Sequence, residues 1–345
     1  MRDFIISAVV PGKNFSRFCV RCAIEPGEYR PYLCDRISAR ASKFNEGVGI
    51  ALCGNVSVLR ADRITVPATH HGEGPFWDEP NNRLLCVDAL AGTVVAVGSE
   101  GEVNRYSVPS QVVTVIRRRA SGGYILATEG GVVAANEHFS EFESIAQLDD
   151  IPGVRTNDGG CDHLGGFVIG TMAYDGRTGA GTVYRVTPEH RVVRMLSPVS
   201  ISNGVQWSAD GTRVYYVDSP TRQVDVFDVD PCNGEWSQRR THIAVDHRSV
   251  GLPDGMAIDE EGGLWVALWG AGMVNHYDHS GRLAATVEVP GVTQVSSCAF
   301  GGEGRSVLYI TTSRQGLPDH CEPDAGSVFA AQTQFRGAAQ SVFAG

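Results

Sequence analysis

Four short stretches set oxygen-bearing side chains beside glycine: Glu73 in GEGP, Asn157 and Asp158 in RTNDGG, Asn203 in SISNGV and Asp254 in GLPDGM. Glu73, Asn203 and Asp254 together amount to two carboxylates and one amide oxygen. That set suits a hard divalent cation, Ca2+ first, with Mg2+ or Mn2+ as alternatives and water in the open positions. The lack of His and Cys weakens a Zn2+ preference without excluding it. Taken singly, Asn-Gly and Asp-Gly are ordinary turn dipeptides, and Glu73 between two glycines reads as a solvated turn. The three become a site only if the chain repeats, so that equivalent positions of different repeats converge. The glycines would then let the backbone turn tightly and leave each oxygen exposed.

The chain does repeat. After residue 55, long helical periodicity is nearly absent, and short β-branched or aromatic runs alternate with Gly, Asp and Pro: RLLCVDAL, GYILAT, GGFVIGTM, RVYYVDS, GLWVALW, VLYITT. Such runs read as an all-β protein. Related turn signals precede Arg83, Gly123, Gly166, Arg213, Gly263 and Ser306, a period of roughly 40–50 residues that marks a β-propeller of four-stranded blades around a central channel. Six units fit between residue 60 and the C-terminus. The run NVSVLRADRITVP ahead of the first unit is expected to supply the strand that closes the last blade and removes the open edges.

Composition bounds the rest. The 345 residues carry a formal net charge of -10, which argues against nucleic acid or an anionic membrane as partner. No apolar run reaches the roughly 18 residues of a membrane span, and MRDFIISAVVPG is a poor secretory signal, so a cytoplasmic protein acting on a small molecule is expected. Both lysines, Lys13 and Lys43, lie before residue 55, as do four of the nine cysteines. That shift divides the chain into an extension, 1–55, expected to be poorly ordered, and a propeller domain, 56–335. An odd number of cysteines in a chain of this length reads as reduced thiols. The CVRC pair, Cys19 and Cys22, has no second pair to complete a zinc site.

The stretches GEGPFWD, RTNDGGCDHLGGFVIGTM, SISNGVQWSADGTRVYYVDS, GLPDGMAIDEEGGLWVALWGAGMV and SSCAFGGEGRSVLYITT resemble the family of gluconolactonase, regucalcin (senescence marker protein) and luciferin-regenerating enzyme. The resemblance runs in order from about residue 60 to about 331. It implies a six-bladed propeller with one divalent metal in the channel, hydrolysing lactones of sugar acids. By the same resemblance the metal ligands are Glu73, Asn203 and Asp254, while Arg155 and Asn157 contact the substrate. In two places the sequence departs from the pattern, one of them being residues 1–55, which have no counterpart in the family. After GTMA the sugar lactonases often carry an acidic substrate contact; here the chain reads YDGRTGAG, which leaves that contact unassigned.

A cation at this site would polarise the lactone carbonyl and acidify water. Asp254 is expected both to ligate and to accept the proton of the attacking water, and Arg155 to hold substrate oxygens or else pair with Asp158. No G-x-S-x-G elbow and no H-E-x-x-H pair is present. His70 and His71 adjoin Glu73 and either line the pocket or, the commoner case for turn histidines, are solvated; Cys161 and Cys298 read as inert buried thiols, and Trp207, Trp265 and Trp269 as packing between blades. A phosphotriesterase on the same scaffold and a non-catalytic calcium- or ligand-binding propeller remain as alternatives.

Overall fold

The computed structural model describes residues 4–7, 17–20, 56–149, 151–246 and 251–345. The expectations placed on the CVRC side chains and on the order of the extension lie outside the described residues. Within it, Phe4–Ser7 and Arg17–Val20 pair as a two-stranded antiparallel ribbon. The chain divides between Asn55 and Val56.

From residue 56 onward the protein is a six-bladed β-propeller of antiparallel four-stranded sheets. Blades 1 to 6 begin with the innermost strands Gly72–Asp78, Val113–Arg118, Val154–Cys161, Ser202–Trp207, Leu252–Ile258 and Val295–Gly301. Each innermost strand touches that of the next blade, and the sixth touches the first, which closes the ring. The second strands begin at Arg83, Tyr124, Phe167, Arg213, Leu264 and Val307, within one residue of the repeat positions read from the sequence. Those strands are buried on both faces, as in RLLCVD and YILAT, so they appear as continuous apolar runs. The outer strands lose that character, as VNRYS at Val103–Ser107 shows.

The core is a set of six seams between neighbouring blades. Val87 and Ile116 meet between blades 1 and 2, Ile125 and Phe167 between 2 and 3, Val168 and Val214 between 3 and 4, Val224 and Val266 between 4 and 5, Trp265 and Phe300 between 5 and 6. Trp77 and Val328 close the circle. Asp62–Arg63 adds the fourth strand of blade 6 through Phe329 and Ala330, while Ser57–Arg60 runs parallel to Leu283–Glu288 as a fifth strand on blade 5. The expected closing strand is therefore two residues long, and its neighbour thickens an adjacent blade. We propose on this basis that deletion of residues 1–50 leaves a folded, active protein, whereas deletion of 1–64 removes the closure and abolishes cooperative melting. A truncation at 50 that no longer melts cooperatively would refute that boundary.

Beyond residue 335 the chain crosses the ends of the innermost strands. Ala338 N–H donates to Ile258 of blade 5, Phe343 N–H to Arg118 of blade 2 and Ala344 N–H to Gly165 of blade 3. Phe343 is fully buried, edge-on to Phe167. This tail closes the end of the channel away from the residues described next. Phe343→Ala is expected to cost about 3–5 kcal/mol, the usual range for emptying a buried Phe position, and urea unfolding will read it as a lower midpoint. Among the described residues no helix is long and apolar enough to cross a membrane.

Candidate active site

The chemistry-bearing residues sit near the start of the innermost strands, each at an irregularity in the ladder. Pairing with the second strand slips between Glu73 and Phe76, between Thr156 and Gly159, between Ser202 and Val205, and between Pro253 and Met256. Such bulges leave residues unpaired and re-aim their side chains, here Asn157 with Asp158, Asn203 and Asp254, while Glu73 is the last paired residue before its bulge. The Asn-Gly and Asp-Gly pairs thus lie inside strands and not in turns, and their side chains are buried. The glycines have a different purpose from the one read in the sequence. A Cβ on Gly204 would stand 2.8 Å from the Asp254 carbonyl, and one on Gly255 would stand 2.1 Å from Ser297 Oγ. They allow adjacent innermost strands to approach; only Gly74, at φ +53°, also needs left-handed backbone.

A cavity of about 220 Å³ opens at this end of the channel. It brings together all five residues singled out by sequence: Glu73, Arg155, Asn157, Asn203 and Asp254. Asn157 Nδ2 donates to Ser202 O at 2.9 Å and to Asn203 Oδ1 at 3.1 Å. Asn203 Nδ2 donates to Ser219 Oγ at 2.8 Å, and Ser219 in turn donates to Pro253 O. Arg155 Nη1 donates to Thr156 O and to Asn157 Oδ1, both at 2.8 Å, and its guanidinium lies 5.7 Å from the Tyr174 ring centroid. Arg155 does not pair with Asp158, whose neighbouring charge is Arg117, deeper in the channel.

Burial, the mutual repulsion of Glu73 and Asp254 and the nearby Asp158 push both carboxyls above the usual carboxylate range; the Gly74 and Gly255 N–H groups and Arg155 oppose this only in part. Asp158 is raised as well, chiefly by burial. Three buried acidic groups therefore face two arginines, an arrangement that a bound cation would relieve. Two acidic oxygens and an amide oxygen with a second lone pair fit a hard cation completed by water. Among the described residues no three His, Cys, Asp or Glu side chains gather closely enough to hold a metal by themselves.

The cavity also takes in residues that sequence reading assigned elsewhere or missed. His71 is buried against the edge of Trp269 and shares a 2.9 Å hydrogen bond between its Nδ1 and Ser313 Oγ. Burial and Arg155 lower its pKa to about 3, so the ring is neutral. Trp269 lines the cavity and does not serve only for packing, whereas Trp265 is fully buried between blades 5 and 6. Tyr174 occupies the position after GTMA; the departure from the family pattern was its one signal. Gln315 comes from the loop between the second and third strands of blade 6, Val307–Thr312 and Phe329–Gln332, and carries no motif. Cys161 and Cys298 lie in the rear half of the channel, where burial pushes both thiols up to about 12 and leaves them inert.

The chain is similar to known proteins over the propeller. Residues 71–314 match the model of the SMP-30/Gluconolactonase/LRE-like region. The chain is 34% identical over 294 residues to the putative sugar lactone lactonase YvrE of Bacillus subtilis, covering 84% of this chain and 99% of that protein. It is 37% identical over 269 residues to regucalcin of Gallus gallus, 75% and 89% of the two chains. The crystal structure of regucalcin from Agrobacterium tumefaciens, described as a calcium-binding protein, superposes with a TM-score of 0.78 at 27% identity over 84% of this chain and 99% of that one.

Proposed function

The chain belongs to the SMP-30/gluconolactonase/LRE-like family, and from that membership we propose that it is a divalent-metal-dependent lactonase whose cation, Ca2+ first, is held by Glu73, Asn203 and Asp254. The observation that carries the reading is the convergence of two raised, buried carboxyls and one amide oxygen with Arg155 in a single small cavity. The Bacillus relative is named a putative sugar lactone lactonase, and a lactone of a sugar acid is the substrate we propose on that likeness.

When bound, the cation supplies Lewis acidity at the lactone carbonyl and lowers the pKa of water. In ring opening the water oxygen bonds to the carbonyl carbon, the ring C–O bond breaks, and the water's proton ends on the released alkoxide. Asp254 takes that proton first, as a carboxylate positioned beside the attacking water can. Arg155, fixed by Thr156 O and Asn157, lines the cavity and donates to a substrate oxygen there. Asn157 does two things: it faces the substrate, and its amide holds the Asn203 oxygen in place. The five described cysteines, Cys86, Cys161, Cys232, Cys298 and Cys321, are unpaired, which fits a reducing cytoplasm.

A calcium-binding protein without turnover is the second reading, favoured by the likeness to the Agrobacterium structure. Acid release from aldonolactones and organophosphates, followed with and without EDTA, separates the two. EDTA-sensitive opening of lactones is expected. Calcium binding without acid release from any compound would replace the enzyme by the binder, and acid release from organophosphates alone would make the site a phosphotriesterase.

A further inference from the structure

We infer that the cavity selects a lactone carrying an apolar substituent, an alkyl chain or an aryl ring, over a polyhydroxylated sugar lactone. The inference rests on the lactonase reading and narrows its substrate. The polar groups lie at the floor, and the walls above them are apolar: Leu90, Met172, Ile201, Leu252 and Trp269 all line the cavity and all keep part of their surface accessible. Tyr174 stands at the mouth, 51% exposed. Its hydroxyl is committed to Glu129 Oε1 at 2.5 Å, so the ring face and not the hydroxyl is offered to a ligand.

The polar inventory of the floor is largely committed within the protein. Both amide hydrogens of Asn157 are used, and the Asn203 amide and the Ser219 hydroxyl bind each other and Pro253 O. The His71 ring nitrogen Nδ1 is tied to Ser313. Outside the candidate ligand set, the Arg155 guanidinium, His71 Nε2 and the Gln315 amide are what the cavity keeps to meet substrate oxygens. A sugar lactone brings several hydroxyls, and those facing Leu252, Ile201 or Trp269 would be stripped of water without a partner. An apolar substituent loses nothing there and removes its own surface from water. The cavity volume of about 220 Å³ lies below the roughly 300–1,000 Å³ of pockets for drug-sized ligands, which limits the substituent to a short chain or a single ring.

The test is a ratio of kcat/KM values, measured on the full-length protein in saturating Ca2+, for a δ-lactone bearing a pentyl chain against D-glucono-δ-lactone. We expect the alkyl lactone to be favoured by tenfold or more, within the roughly 10–200-fold that apolar pocket contacts supply. A gluconolactone preference, or no preference, overturns the inference while leaving the lactonase reading intact. If neither lactone is opened, the lactonase reading fails and the inference fails with it. Tyr174→Ala and Trp269→Ala should each narrow the ratio, because the wall contacts only one of the two substrates strongly; an equal fall on both would show a merely structural role and count against the proposal. A second readout needs no turnover. The pentyl δ-lactam, which resists opening, should bind in calorimetry more tightly than the unsubstituted lactam and with a more negative heat-capacity change. Equal affinities for the two lactams would overturn the assignment of the wall.

Discussion

Glu73→Ala is expected to weaken Ca2+ binding by about 100-fold or more, since even partners that only orient a metal ligand cost 10–100-fold when lost. Glu73 is one of only two carboxylates in the candidate set, and Asn203 cannot replace its charge. A parent held at 100 times its dissociation constant gains about 2.7 kcal/mol from the linked cation, and the variant at the same Ca2+ loses most of that. The metal-free proteins should order the other way. Glu73 is buried beside Asp254 and Asp158, which repel it, so Glu73→Gln, close to the same size, should melt at or above the metal-free parent. The pH dependence follows from the raised pKa values. A carboxyl raised in the folded state contributes stability below its unfolded pKa of about 4, and that contribution is lost as pH rises through the folded value. The metal-free parent should therefore lose stability between pH 5 and pH 8, while the Ca2+-loaded protein loses less, so EDTA lowers the melting temperature more at pH 8. Calcium titrations at pH 8 in which Glu73→Ala binds as tightly as the parent would remove Glu73 from the site.

Why the five site residues were legible while the walls were not is a matter of periodicity. Glu73, Asn157, Asn203 and Asp254 recur near one position of a repeat, with Arg155 two residues ahead of Asn157 on the same strand, and a closed ring of innermost strands must bring equivalent positions together. Their local setting was misread, because a dipeptide such as Asn203-Gly204 carries the same letters in a turn and in a bulge. What distinguishes the two is the approach of the next blade, seen where Met256 and the Asp254 carbonyl crowd Gly204, and that contact lies about 50 residues along the chain. Trp269 was hidden for a related reason. LWVALW is a continuous apolar strand in which Trp265 is buried in a seam and Trp269, four residues further at the strand's end, emerges at the cavity. His71 looked like a solvated turn residue because nothing local predicts the Ser313 hydroxyl that meets it from the far end of the chain. The tail from residue 336 to 345 has no strand pattern of its own; its place is set by backbone bonds to blades 5, 2 and 3.

Asp254→Asn will show whether the site is a catalyst or only a cation cage. Asparagine keeps an oxygen of nearly the same reach and removes both the charge and the proton-accepting group. Its backbone environment is undisturbed, since Gly255 and Gly204 still permit the close approach of neighbouring strands. If Asp254 only ligates, the variant binds Ca2+ more weakly, and raising the metal concentration restores turnover. If Asp254 also takes the proton of the attacking water, turnover stays low at saturating Ca2+, by a factor on the order of 10²–10⁴, the usual contribution of a positioned acid or base. The loss should fall on kcat with little change in KM, because Arg155 and the cavity walls, which bind the substrate, are untouched. The metal-free variant should be more stable than the metal-free parent, as one of two repelling buried carboxyls has gone. Near-parent turnover in Ca2+-saturated Asp254→Asn would strip Asp254 of the base role and leave the proton to water or to Glu73. A kcat that stays low at every Ca2+ concentration, together with measured binding of the cation, places the proton transfer on Asp254.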